Sequence, residues 1–540
     1  MHFRNEVVFL LLGVSTLLPL VAAGPGGYVT LINASPYDWK LTYSHSYQMD
    51  WQPAALIPAG ESHEQYLEWW YHRGDIGDCA AEATYELVGS PRKEAFQLKA
   101  TQSAGKDLQI QYLDNLSSLN NPENSLIPLG FEHDGGVSFI LSGDGTKPYV
   151  SSNPPPGWMQ ATLSTIGPKT LREISLPASH DAGMSEITQE WGGIKHNTQT
   201  QSKPIGGQLI DGARWFDIRP VHSDGGFHTG HFSETWSNWF MKLIGADVVG
   251  AKGRKIADIV ADINSFTSKH EGELIILDLS HEMGDIKYWG TEWKLSIEKW
   301  EYLYEALAEI NDLWTVGNPP QDYTSVPLST FIQPGSKSAV LVRIPGHAPL
   351  PRQTISEYKV IPLSAFIQDS RLPFEGTYSD TDNPDHLATD QVSKLHSMRV
   401  ASQSMMQRST WTITVGLAKN LDIANKGNSI IGQAVRAHRK LFSTLWPAMS
   451  KTSYPNLIEV DDINSQVTAL CMGINDRFAS SNPKVKARQL QERKLSSTGT
   501  IEPIANLTTA SSTLPPRPTL TPTPSPSIVR IKGRPFVMLM

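Results

Sequence analysis

Hydrophobic and polar positions alternate with period two over the first part of the chain. Tyr28-Val-Thr-Leu-Ile32, Thr84-Tyr-Glu-Leu-Val88, Phe96-Gln-Leu-Lys99, Leu108-Gln-Ile-Gln-Tyr112 and Val137-Ser-Phe-Ile-Leu141 are β-rich runs divided by Gly, Asn, Pro and Ser clusters. That spacing predicts an all-β, sandwich-like domain over residues 24–150. Asn153-Pro-Pro-Pro-Gly157 is a stiff break, and a boundary is expected there. From Trp158 the pattern changes. Lys255 to His270 and Glu292 to Trp314 carry apolar residues at helical spacing, whereas Leu274-Ile-Ile-Leu277, Ala339-Val-Leu-Val342, Trp411-Thr-Ile-Thr-Val415 and Leu457-Ile-Glu-Val460 are continuous apolar runs of the kind buried on both faces of a parallel sheet.

Three further stretches end an apolar run in titratable residues: Leu176-Pro-Ala-Ser-His-Asp-Ala-Gly-Met184, Gly212-Ala-Arg-Trp-Phe-Asp-Ile-Arg219 and Phe227-His-Thr-Gly-His231. Strands that turn polar at their C-terminal ends are how a (β/α)8 barrel presents chemistry at its rim. The expected fold class is therefore α/β, a TIM-type (β/α)8 barrel over residues 155–480 that need not be regular, preceded by the β domain. Gly346 to Met398, rich in Pro, Asp and Ser, reads as a rim loop or lid.

Residues 1–23 have the layout of a secretory signal, with Arg4, an apolar stretch from Val7 to Val21 and Val21-Ala-Ala23 before Gly24. A secreted, extracellular protein is expected. Residues 495–540 turn to Ser, Thr and Pro, a composition that cannot bury a core, and are expected to be a disordered tail. A net charge of -8 argues against a nucleic-acid partner. Cys79 and Cys471, the two cysteines, read as buried thiols or as one bridge. Sequons at Asn33, Asn115 and Asn506 fit export. Trp69-Trp70-Tyr71 is either core packing or a membrane- or sugar-binding tip.

Two histidines with carboxylates at hand suit a general acid and base, and a permanently charged, forked guanidinium suits two oxygens of a phosphate. His, Asp, Arg and His together point to phosphodiester cleavage, with either His231 or His228 as the acid; a solvated-loop position is the plain account of His228 and His222. Those motifs, with Trp158-Met159, Glu273-Leu-Ile-Ile-Leu277 and Ala339-Val-Leu-Val-Arg343, resemble the X domain of bacterial-type phosphatidylinositol-specific phospholipase C, a PLC-like phosphodiesterase. The resemblance covers roughly residues 158–475. It implies that the inositol 2-hydroxyl attacks phosphorus, with His180 as general base, His231 as general acid, Asp217 orienting His231, Asp181 holding Arg219 against the phosphate, Asp461 supporting the base and Arg343 touching substrate.

The calcium-dependent animal enzymes resemble this pattern but have Asn after the first His and a Glu-x-Asp pair in place of Asp217-Ile-Arg219. With Arg219 to supply positive charge, no cofactor and no calcium are expected, although Asp278 and Glu282 remain possible ligands. Ser280-His281 stands where the bacterial enzymes have a lysine contacting inositol. The implied partner is a phospholipid at a membrane surface. The alternatives are a phosphodiesterase for another phospholipid or sphingolipid head group, or an inactive membrane- or glycan-binding protein.

Overall fold

The structure, a computed structural model, describes residues 25–70, 78–102, 105–234, 248–286, 291–352, 354–356, 359–414 and 426–478. The expected signal segment, the Ser/Thr/Pro-rich tail, Tyr71, Val415 and the Asn506 sequon lie outside them.

The alternating runs build two sheets. One has five strands, centred on Gly26–Ala34 between Gly136–Ser142 and Ser62–Trp69. The other has six, in which Asp38–Tyr47, Ala80–Val88, Glu94–Thr101, Asp107–Asp114 and Leu126–Gly130 follow one another antiparallel. Their inward residues, among them Val29, Trp39, Tyr85, Phe96, Tyr112 and Phe139, share one core. Trp69 belongs to that core, while Trp70 is exposed with its indole N–H on Asp50 at 2.9 Å. Cys79 and Cys471 are buried thiols that are not joined in a disulfide.

The Asn33 sequon is not a surface acceptor. Asn33 is fully buried, and its amide donates to the carbonyls of Tyr37, Ile57 and Pro58 at 2.8, 3.0 and 3.1 Å. A side chain used to satisfy three backbone acceptors cannot also carry a glycan.

Eight parallel strands form the second part: β1 (Leu176–Ser179), β2 (Trp215–Ile218), β3 (Leu274–Leu279), β4 (Ala339–Ile344), β5 (Phe366–Gln368), β6 (Phe374–Glu375), β7 (Met406–Trp411) and β8 (Leu457–Val460). Hydrogen bonding joins them in the order β5-β4-β3-β2-β1-β8-β7-β6. Neighbours in space are therefore neighbours in sequence all the way round, and the sheet curls into a distorted TIM-type barrel whose ladder is open between β5 and β6. Helices Ile256–Thr267, Ile297–Leu307, Pro384–Met398, Ile430–Ala448 and Ser465–Arg477 cover it. Ile430–Ala448 also lies against the five-stranded sheet, where Arg439 pairs with Glu64 at 3.0 Å and Trp446 donates to Gly60 O at 3.1 Å. The β sheets and the barrel thus belong to one compact unit.

Two expectations change. Gly346 to Met398 is not merely a rim loop: it contains β5, β6 and helix Pro384–Met398. Strands of two or three residues carry no readable period, so these were hidden among prolines. Nor is Phe227–His231 a barrel strand. It belongs to Gly226–Glu234, which pairs antiparallel with Pro220–Ser223 and with Val248–Lys255 in a separate four-stranded sheet directly after β2.

Candidate active site

At the C-terminal ends of β1 and β8, Ser179 and Val460 are the last paired residues, so the next residues, His180 and Asp461, emerge side by side. Asp461 Oδ1 lies 2.7 Å from His180 Nδ1. A carboxylate only accepts, so Nδ1 carries a proton. Arg219 Nη2 lies 2.8 Å from His180 Nε2, and a guanidinium only donates, which makes Nε2 the acceptor. The imidazole is held in one tautomer, with its lone pair toward the guanidinium. Burial, the largest influence, disfavours its charged form, as does Arg219, but the charge and hydrogen bond of Asp461 together with Glu459 leave the His180 pKa above its ordinary value.

Asp217 and Arg219 are two residues apart at the end of β2 and share a face. Asp217 Oδ2 accepts from Arg219 Nε at 3.0 Å and from the Asp181 backbone N–H at 3.1 Å, and Oδ1 accepts from the Ser280 hydroxyl. Against the cost of burial, the charges of Arg219 and His180 hold the Asp217 carboxyl well below the usual carboxylate range. Arg219 resists deprotonation more than an ordinary guanidinium, since Asp181 and Asp217 together overcome its burial.

Asp181 has φ of 40°, a left-handed backbone that swings its side chain off the direction of β1 and toward the antiparallel sheet. There Asp181 Oδ2 accepts from His231 Nδ1 at 2.8 Å and faces Arg219 Nη1 at 3.4 Å. The expected contact of Asp181 with Arg219 is present, but Asp181 and not Asp217 also orients His231, and Asp217 is the nearer carboxylate to Arg219. The close fit also accounts for a glycine. A Cβ on Gly183 would fall 2.2 Å from Thr229 Cγ2, and the Thr229 hydroxyl donates to Gly183 O at 3.0 Å, so any side chain there would push the His231 strand away.

His180, Arg219, His231 and Asp461 line one cavity of about 410 Å³, together with Asn197, Thr198, His281, Tyr378, Thr412 and Ile413 among others. His228 is not among its lining residues; its ring Nδ1 is buried without a hydrogen-bond partner. Neither His228 nor His222 is on a solvated loop: both are in strands, and His222 Nδ1 meets Asp285 at 2.6 Å.

Arg343 does not reach the cavity. It lies in the barrel interior, 2.6 Å from Asp278 Oδ1 and stacked at 4.5 Å on Phe374, whose ring also carries Arg408 at 4.8 Å. Adjacent registers explain this, since Asp278 and Arg343 face each other across β3 and β4. Burial, partly offset by Arg343, pushes the Asp278 pKa up to about 6. Glu282 is engaged by His347. Asp278 is thus paired with the Arg343 guanidinium and Glu282 with the His347 ring, and among the described residues no cluster of three or more His, Cys, Asp or Glu is placed to hold a metal ion.

Tyr378 and His281 were not anticipated as lining residues. The Tyr378 ring is 5.5 Å from that of His180. Burial, with Glu459 and Asp217, raises its hydroxyl pKa well above the ordinary value, so it stays a proton donor. His281, at φ of 46°, has Nδ1 2.9 Å from Ser280 Oγ and a pKa lowered by burial and Arg219. The Ser280-His281 dipeptide flagged the latter; nothing in the irregular stretch around Tyr378 did.

The chain matches no family model and no curated protein. Among solved structures it is similar to a variant of the phosphatidylinositol-specific phospholipase C of Staphylococcus aureus, with 18% identity over 60% of this chain and 97% of that one and a TM-score of 0.40. It is also similar to the phosphatidylinositol-specific phospholipase C of Listeria monocytogenes, with 13% identity over 57% of this chain and 95% of that one and a TM-score of 0.39. At such values, what the cavity does has to be argued from its own side chains.

Proposed function

We propose that this cavity cleaves a phosphodiester by intramolecular attack, with a phosphatidylinositol-type lipid or a glycosylated anchor as substrate. One observation carries the reading: two imidazoles, each backed by its own carboxylate, stand on either side of one guanidinium and face one cavity. A phosphate seated on Arg219 would have a base on one side and an acid on the other.

In the proposed reaction a substrate hydroxyl replaces Arg219 at His180 Nε2 and gives up its proton there as its oxygen bonds to phosphorus. The released guanidinium N–H turns to a non-bridging oxygen. The bond from phosphorus to the leaving alkoxide breaks, and His231, held through Nδ1 by Asp181, protonates that oxygen. The products are a cyclic phosphate and diacylglycerol. Because Arg219 can stabilise the developing charge, the reaction is proposed to need no metal. Action on lipid places the protein at a membrane surface, and the signal-like N-terminus supports secretion; no helix among the described residues is long and apolar enough to cross a membrane.

A second reading concerns the head group. Ser280 is turned to Asp217 and Arg343 to Asp278, so the arginine implied by the resemblance does not face the cavity, and His281 lines it where the bacterial enzymes have a lysine. That favours another phospholipid or sphingolipid head bearing a hydroxyl near the phosphate. The deciding experiment incubates purified protein, in chelator, with vesicles of phosphatidylinositol or of the alternative lipids and identifies the released head group. Cyclic inositol phosphate is expected, slowed by ~10²-fold or more in His180→Ala and in His231→Ala. Undiminished turnover in both variants would overturn the assigned roles.

A further inference from the structure

Where β1 and β8 end, their ladder stops as well. Val460 O accepts from His180 N at 3.1 Å, but the next rung is missing: Asp462, at φ of 50°, turns away and donates its N–H to Thr200 O at 2.8 Å. The Gln201 side chain fills the gap. Its Nε2 donates to His180 O at 2.8 Å and to Val460 O at 3.2 Å, and its Oε1 accepts from Ile463 N at 2.9 Å. Gln201 is 1% exposed, so these three bonds have no water to replace them. Beside it, the Thr200 hydroxyl donates to Asp181 O at 2.8 Å.

We propose that Gln201 is a positioning residue: its amide substitutes for the missing rung of the sheet and fixes the His180 imidazole against the Asp461 carboxylate, with Thr200 doing the same for Asp181. A side-chain amide suits the place, because the His180 carbonyl needs a donor while the Ile463 N–H needs an acceptor. A carboxylate would set negative charge against the His180 and Val460 carbonyls. An apolar residue would leave His180 O and the Ile463 N–H buried and unmet, while Val460 O would keep its bond from His180 N.

His180 is faced by Asp461, Arg219, Asp217, Glu459, His281 and the Tyr378 ring, and the Gln201 side chain hydrogen-bonds none of these side chains. Any effect of replacing it on the imidazole must therefore pass through the backbone of β1 and β8. The inference rests on His180 being the base, yet the placement of the ring can be tested without turnover.

The test uses the full chain with Gln201→Met, which keeps length but not hydrogen bonding, and Gln201→Glu, which keeps the acceptor for Ile463 but not the donor; thermal unfolding of both variants guards against loss of fold. The His180 pKa is read by NMR of 15N-labelled histidine, and kcat and KM on phosphatidylinositol vesicles in parallel. A looser Asp461 contact should lower the His180 pKa relative to wild type. It should also cut kcat by roughly 10- to 100-fold, the scale of an ångström-level misplacement, with KM within about twofold. A folded variant with wild-type His180 titration would overturn the proposal, as would a wild-type kcat. Should wild type release no product while the His180 titration still moves in the variants, positioning stands and the assignment of the base falls.

Discussion

Asp461→Asn tests the electrostatic support of His180, the proposed base. The wild-type contact is a 2.7 Å hydrogen bond from His180 Nδ1 to a carboxylate that is 2% exposed. For charge centres about 4 Å apart at the effective dielectric typical of proteins, an imidazolium–carboxylate pair is worth about 4 kcal/mol. In the native site that attraction, with the hydrogen bond itself and the charge of Glu459, overcomes burial and Arg219 to raise the His180 pKa. A base must be unprotonated to act, so a raised pKa sets the acidic limb of the pH–rate profile above the ordinary histidine range. Asparagine removes the attraction and leaves burial and Arg219, which both lower the pKa. The acidic limb should move to lower pH. The maximal rate should still fall by about 10² to 10⁴, because a weaker base drawn by a neutral amide no longer shares its developing charge. The assay is release of water-soluble phosphate ester from lipid vesicles across the pH range, with thermal unfolding as a control on fold. A limb that stays where it was, in a folded variant, would show that Asp461 does not act through His180.

The two carboxylates at Arg219 make a paired prediction. Asp181→Asn should lower kcat by at least about 10²-fold through His231, whereas Asp217→Asn, which removes the nearer of the two carboxylates from Arg219, should act mainly on KM and on binding of a phosphate-bearing product, measured by calorimetry; the reverse assignment would follow if the two phenotypes were swapped. At the opposite end of the barrel, Arg214 and Glu273 form a fully buried pair at 2.7 Å, and Glu273 also accepts from the N–H groups of Met159 and Gln160 at the start of helix Trp158–Ile166. Glu273→Gln leaves the guanidinium buried and uncompensated and should cost about 3–5 kcal/mol in denaturant unfolding; a loss under about 1 kcal/mol would refute it.

The sequence made the strands of the barrel legible where an apolar run was long enough to show that both faces are covered, as in Leu274–Leu279 and Ala339–Ile344. It also showed His180, Asp181, Asp217 and Arg219, because a polar residue directly after such a run has few places to go but the rim. It did not show which carboxylate serves which cation. That depends on a single backbone angle at Asp181, and Asp tolerates the left-handed region without any mark in its neighbours. His231 was noticed as a histidine after an apolar run, but its strand belongs to a separate sheet folded over the rim, a distinction that period-two patterning cannot make. β6 is two residues long, too short to announce itself, and with it went Tyr378. Gln201 was invisible for a different reason: its role comes from a rung missing between β1 and β8, strands about 280 residues apart in the chain.

Charge balance links these pieces. Among the described residues that contact one another at His180 and His231, one guanidinium, Arg219, is outnumbered by three carboxylates, Asp181, Asp217 and Asp461. With both imidazoles neutral, the group carries a net charge of −2, and a phosphodiester anion would bring one more negative charge into a poorly hydrated space. The substrate's charge is best met by a proton, and the geometry offers two places to hold one. His180 Nε2 is already an acceptor for Arg219, so a proton there would compete with the guanidinium that grips the phosphate. His231 makes its hydrogen bond to Asp181 through Nδ1, and a second proton on its other ring nitrogen costs no bond already made. In the proposed reaction, the proton that neutralises the incoming phosphate would then be the one the leaving oxygen needs, and Asp181, which contacts both Arg219 and His231, would couple phosphate binding to that proton.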